Sequence, residues 1–164
     1  MMRGVKQHAV LFILLAVTVL ILCFIFHNSL QDSTASNTRS GQIAEKIKPV
    51  LDPQNTVTEE LFHKITRKMA HFLEFGLLGV SAALLAMHIS AAYVRCSVFA
   101  PLFFILLSAV TDEFIQSFTG RTSSVSDVLI DFSGAGLGIL LVYGIVHILC
   151  LILRKTQKRK HHAD

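Results

Sequence analysis

Apolar residues in this chain come in long runs rather than in alternation. A hydrocarbon layer about 30 Å thick is crossed by roughly 20 apolar residues of helix, and four stretches meet that requirement. The first, 9–26, reads AVLFILLAVTVLILCFIF, with Thr18 as its only hydroxyl. The others cover about 70–89, 98–118 and 128–153; the third is acidic at its end and the fourth at its start. The pattern predicts an all-α protein, an integral membrane four-helix bundle forming a single domain over 1–164.

The long segment between the first two spans, 27–69, breaks the pattern. HNSLQDSTASNTRSG (27–41) is polar and rich in Ser and Thr, and reads as loop. QIAEKIKPVLD (42–52) then places Ile43, Ile47 and Val50 or Leu51 at helical spacing. This predicts a short amphipathic helix lying on the membrane surface, limited in length by Pro49. Pro53, Gln54 and Asn55 read as a turn. Thr56 and Glu59 have the spacing of a capping box for a helix running through Leu61, Phe62 and Ile65 into the second span.

Composition agrees with a membrane protein: 52% of residues are hydrophobic and 16% charged, with a mean hydropathy of +0.59. Arg3 and Lys6 precede the first span, but its apolar core is too long for a signal peptide and no small-residue cleavage site follows, so an uncleaved anchor is expected. Arg95 and the basic tail 154–164 lie on one side of the predicted spans. The segment 27–68 on the other side carries six Lys/Arg against five acids. Both termini are therefore expected to be cytoplasmic, with 27–69 as an outer loop and the tail near anionic lipid. Cys23, Cys96 and Cys150 show no disulfide or metal spacing and read as small apolar residues. His88, His147, Tyr93 and Tyr143 read as incidental or packing positions.

The remaining polar residues converge. His71 and Glu74 fall at the start of the second span, Asp112, Glu113 and Gln116 at the end of the third, and Asp131 one turn into the fourth. Lys68, Arg121 and Asp127 lie beside them. Alternating spans put all these ends on the same membrane side, the outer one under this topology. Arg67, His71, Glu74 and Leu78 share a helix face, as do Asp112 and Gln116, while Glu113 points about 100° away. Asp127 and Asp131 align with Gly134 and Gly138, whose separation gives a flat face for close helix approach. Asp127 could equally cap the fourth helix. Ionisable groups at membrane depth are costly unless paired or hydrated, so the cluster is a functional candidate.

These residues also carry a resemblance. KMAHFLEFGLLG (68–79) resembles the second-span signature of the VanZ-like family, and DEFIQSFTGR (112–121) followed by SDVLIDFSG (126–134) resembles its third and fourth. Asn28 and Ser29 are similar to the family's opening loop. Phe75 stands where tyrosine is common, Thr119 where proline is, and Asp131 where asparagine is frequent. The resemblance implies a protein of the bacterial cell envelope and, from the family's namesake, a contribution to resistance to the glycopeptide teicoplanin. The phosphotransbutyrylase label of some relatives is not adopted, because no soluble acyl-phosphate domain is present.

Three functions are compatible with this chain. In an intramembrane enzyme, His71 and Glu74 supply acid–base chemistry on a lipid-linked envelope substrate. Asp112, Glu113 and Asp131 then tune charge or hold a divalent ion, and Arg121 holds an anionic headgroup. Lys68, Gln116 and Asp127 complete the binding set. A small lipid-handling or transport protein would need to oligomerise, since four spans are few. A non-enzymatic accessory component would bind glycopeptide or a partner through the outer loop. Membrane lipids are expected partners and nucleic acid is not. No HExxH-type spacing identifies a metal, and no cofactor is implied.

Overall fold

The computed structural model describes residues 2–31, 33–92, 99–121 and 123–161, with side chains at 6–31, 38, 40–91, 99–121 and 123–156. Arg95, Cys96, Tyr93, the start of the third span at Val98, and the side chains of the tail beyond 156 lie outside the described residues. The element order is α1 (Met2–Ser29), α2 (Ser33–Leu51), α3 (Glu59–Ala92), α4 (Phe99–Phe118) and α5 (Val125–His161). Four segments are long and apolar enough to cross a membrane: Lys6–Ser29, Glu59–Ala91, Phe99–Phe118 and Val125–Thr156. The helices overrun the apolar stretches, because backbone hydrogen bonding continues into flanking polar turns that water can solvate.

The core is built inside out relative to a soluble bundle. Large side chains such as Phe12 (67% exposed), Leu20 (68%), Phe103 (68%) and Leu140 (70%) face outward. Ala82, Ala83, Ala109 and Ala135 fill much of the interior, with Phe75, Leu78 and Ile105 as the larger inserts. A water-soluble protein with this surface would aggregate; in hydrocarbon the same surface costs nothing.

Small residues set the central contact, between α3 and α5. A Cβ at Gly134 would overlap the Phe72 backbone, one at Gly138 the Gly76 carbonyl, and one at Gly79 the Ala135 carbonyl. The expected flat face at Gly134 and Gly138 is therefore matched by a second one, Gly76 and Gly79, across the seam.

The segment after α1 differs from the expected loop. Residues 33–41 are helical and continuous with 42–51, and Pro49 sits inside the last turn, two residues before the end. Gly41 packs near the His63 ring and Ala44 is buried, so α2 is held to α3 through its second half. Once that half is fixed, extending the helix towards its N-terminus needs no new nucleation. Ile43, Val50 and Leu51 remain exposed.

The expected capping box is also replaced. Asp52 takes the Thr56 amide (2.9 Å) and hydroxyl (2.7 Å) on one oxygen and the Val57 amide (2.8 Å) on the other. The Val57 amide, then Thr56, hold the Asp52 carboxyl below its ordinary range. With the Thr56 hydroxyl turned back, α3 starts instead at Glu59, its Phe62 amide bonding the Thr58 carbonyl. From there α3 runs unbroken into the second apolar stretch, as the sequence suggests.

Alanine at Gly79, Gly134 or Gly138 forces two backbones apart, with an expected loss of about 1–3 kcal/mol. Alanine at Gly136 or Gly144, where nothing lies within 4 Å of the added carbon, is expected to be neutral or stabilising. Thermal unfolding of the detergent-solubilised variants checks the contrast.

Candidate functional site

The polar residues gather at one end of the bundle, where α4 ends and α5 begins. Asp112 and Asp131 each lie six residues from that terminus, about 9 Å along the axis at 1.5 Å per residue. His71 lies beside the glycine seam: its neighbour Phe72 touches Gly134, three residues beyond Asp131. The close approach of α3 and α5 thus sets the separation of His71 from Asp131.

Asp112 is fully buried and receives two donors. The Ser29 hydroxyl donates to Oδ1 (2.5 Å) and the Gln116 amide to Oδ2 (2.6 Å). Ser29 is also fully buried, and Thr119 donates to its carbonyl (3.3 Å), which ties the end of α1 to the end of α4. Glu113, about 100° round α4 from Asp112, meets a different neighbour, the start of α5. It is 4% exposed and accepts the Ser124 amide (2.8 Å). Ser124, not Asp127, caps α5, its hydroxyl accepting the Asp127 amide (3.2 Å). The Asp127 carboxylate is left for Lys68, 2.5 Å away. Gly120, at φ 70°, turns the chain out of α4, a conformation that glycine adopts without a Cβ clash.

That turn aims Arg121 inward, its Nη2 lying 3.1 Å from His71 Nε2. A guanidinium only donates, so Nε2 is the acceptor and the neutral ring carries its proton on Nδ1. Nδ1 lies 3.8 Å from Asp112 Oδ2 and has no hydrogen-bond partner among the described residues. Asp131 Oδ2 is the other buried atom without one. Burial, then the charge of Arg67, pull Arg121 below its ordinary value, yet a guanidinium stays cationic in proteins.

Two cavities meet here. A polar one of about 20 Å³ is lined by Arg67, Lys68, His71, Glu113, Gln116, Arg121, Asp127 and Asp131, with Ile130. A larger one of about 340 Å³ lies between α1, α2 and α3. Its polar walls include Asn28, Arg67, His71, Glu74 and Arg121, and its apolar walls Phe24, Ile43 and Ala70. Glu74 belongs to this second space, accepting from the Asn28 amide (3.1 Å). His71, Arg67 and Arg121 border both.

All nine residues singled out in the sequence therefore lie at this end of the bundle; eight border the two adjoining spaces and Asp112 is buried beside them. Ser29, Asn28 and Arg67 join them. The signals for Asn28 and Ser29 were a polar pair ending an apolar span and their likeness to the family's opening loop; nothing in the spacing ties Ser29 to Asp112, 83 residues away. His88, by contrast, lies at the far end, where its Nε2 meets the Gln7 carbonyl (3.1 Å).

The family model described as VanZ/LLP1 matches residues 12–150 of this chain. No curated protein and no solved structure matches it.

Asp112→Ala would leave the buried Ser29 hydroxyl without its acceptor and the Gln116 amide with only the Ser29 oxygen at 3.4 Å, an expected loss of about 1–3 kcal/mol or more in all. Asp112→Asn keeps an acceptor and should lose less. Breaking the Lys68–Asp127 pair, whose side chains are 41% and 26% exposed, should cost no more than about 1 kcal/mol. Unfolding midpoints of Asp112→Ala, Asp112→Asn and Asp127→Ala, compared in one detergent, test that order.

Proposed function

This chain belongs to the VanZ-like family and is a multi-pass membrane protein, and on that premise we propose that it binds the anionic headgroup of an envelope lipid at the outer membrane face. Acting there on a lipid-linked substrate, it contributes to teicoplanin resistance.

The observation that carries this reading is the mixed character of the 340 Å³ cavity. Phe24 and Ile43 are 53% and 47% exposed, so the apolar side of the cavity continues into the outer surface, where acyl chains would run. Arg67 and Arg121 supply cations for a phosphate or carboxylate. His71 and Glu74 stand on successive turns of the same wall, one able to exchange a proton at Nε2 and the other a carboxylate beside Asn28. An anion that draws Arg121 away from His71 uncovers Nε2 at the moment the headgroup arrives. Chemistry is then tied to occupancy.

The orientation, with both termini cytoplasmic, is supported by the cations. Near the site Lys64 pairs with Glu60 (2.8 Å) and Lys68 with Asp127. At the other end Arg154 and Lys155 are exposed beyond the last apolar turn, the arrangement of a cytoplasmic flank. A transport pathway finds less support. Away from the site, the hydroxyls of Thr18, Ser81 and Ser108 each bond a carbonyl of their own helix, which leaves no polar route among the described residues.

A strain lacking this gene, complemented at matched membrane abundance, tests the proposal. Wild type is expected to restore teicoplanin protection, while His71→Ala and Asp112→Asn fall back to the susceptibility of the deleted strain. Equal protection by the variants would reduce the cluster to a structural role and point to 31–52. No protection by wild type would remove the resistance reading.

A further inference from the structure

Three side chains of metal-ligating type meet beside the small cavity, each from a different helix: His71 on α3, Asp112 on α4 and Asp131 on α5. One donor atom of each lies within 4.8 Å of the other two. His71 Nδ1 and Asp112 Oδ2 are 3.8 Å apart. Asp131 is 1% exposed, and its Oδ2 and His71 Nδ1 are the two buried atoms among the described residues that lack a hydrogen-bond partner. The neighbouring acids are otherwise engaged: Glu113 by the Ser124 amide, Asp127 by Lys68 and Glu74 by Asn28. A buried carboxylate is costly without a cation, a donor or a proton.

We propose that His71 Nδ1 and the carboxylates of Asp112 and Asp131 hold one divalent transition-metal ion of the zinc or manganese type. One imidazole and two carboxylates suit a borderline-to-hard cation, and three protein ligands leave a position open. The adjoining 20 Å³ has room for about one water molecule to fill it. Bonds of about 2.0–2.2 Å would draw the three donors together by roughly 1 Å. Two carboxylates neutralise the ion, which removes the unpaired charge from the bundle.

The site carries its own latch. Nδ1 can bind the ion only when the ring proton moves from Nδ1 to Nε2. Nε2–H and the Arg121 guanidinium are then two donors facing each other, so Arg121 must leave. Cation and Arg121 compete for one imidazole. In the reading above, the released Arg121 is the group that meets the headgroup, but ion binding does not depend on that reading.

The test uses the full chain in detergent, with His161→Ala and His162→Ala in every sample to silence the tail. The protein is stripped with chelator and titrated with Zn²⁺ or Mn²⁺ alone, and metal content is measured after desalting. One ion per chain is expected. His71→Ala and Asp131→Asn should weaken binding at least about tenfold, and Asp52→Asn should not change it. Arg121→Gln should bind as tightly as its parent or more tightly. A parent protein holding no stoichiometric ion would overturn the proposal, as would an Asp131→Asn variant that binds equally well; the latter result means that Asp131 is buried as the neutral acid. Because metal content is read on purified protein and susceptibility in cells, failure of one reading is distinguishable from failure of the other.

Discussion

Everything at the polar end of this molecule depends on how closely α3 and α5 approach. In hydrocarbon there is no hydrophobic force to press two helices together, so the contact relies on dispersion between surfaces that fit. Gly76 and Gly79 face Gly134, Ala135 and Gly138 without intervening side chains. The bulky residues are left to the lipid side. Because this contact is backbone against backbone, it has little freedom to slide or rotate. His71 precedes it by one residue on α3, and Asp131 lies three residues before Gly134 on α5. Two polar groups that would otherwise favour water are held together inside the bundle by an apolar seam.

The second constraint is the accounting of polar atoms in a low-dielectric bundle. An unsatisfied group at membrane depth has no water to fall back on. The chain meets that demand with partners drawn from the ends of α1, α3, α4 and α5. Ser29 from α1 and Gln116 from α4 serve Asp112; the amide that opens α5 serves Glu113; Lys68 from α3 serves Asp127. These bonds cross-link the ends of α1, α3, α4 and α5 where loops alone would let them splay. The two atoms left over, His71 Nδ1 and Asp131 Oδ2, belong to residues that face each other across the seam. Their being left over in the same place, and not at scattered points, is the observation that supports the proposed site.

The sequence discloses what depends on length and composition, and conceals what depends on contact. Four runs of apolar residues announce four spans, and the alternation of spans brings His71, Asp112, Arg121 and Asp131 to one end without any knowledge of packing. Helical angle separates Glu113 from Asp112 but does not name its partner, the Ser124 amide at the start of α5. The polar stretch 33–41 has no apolar stripe of its own and becomes helical because Gly41 and Ala44 behind it dock on α3. Thr56 and Asp127 each had cap-like spacing, but Asp52 holds Thr56 in the turn ahead of α3, and Ser124 takes the cap of α5. Those partners lie only four and three residues away, so spacing shows the candidates but not which of them the backbone geometry selects. The three-helix set His71, Asp112 and Asp131 has no linear motif because its members are far apart in the chain and meet only through packing.

Arg121 is the residue that turns a cluster into a device. It stands on a short connection, just past Gly120, rather than on a helix, so moving it does not require a helix to move. It borders both cavities and contacts the ring shared by both. If a cation on one side of His71 and an anion on the other each favour the conformation in which Arg121 has left the imidazole, each must strengthen the binding of the other by the same factor. That reciprocity needs no long-range pathway, since one guanidinium and one imidazole carry it. It also explains why an acid at position 131 is compatible with this fold. The Asp131 carboxyl has an oxygen with no hydrogen-bond partner among the described residues, and in the proposed site a metal ion supplies that partner where a proton otherwise would.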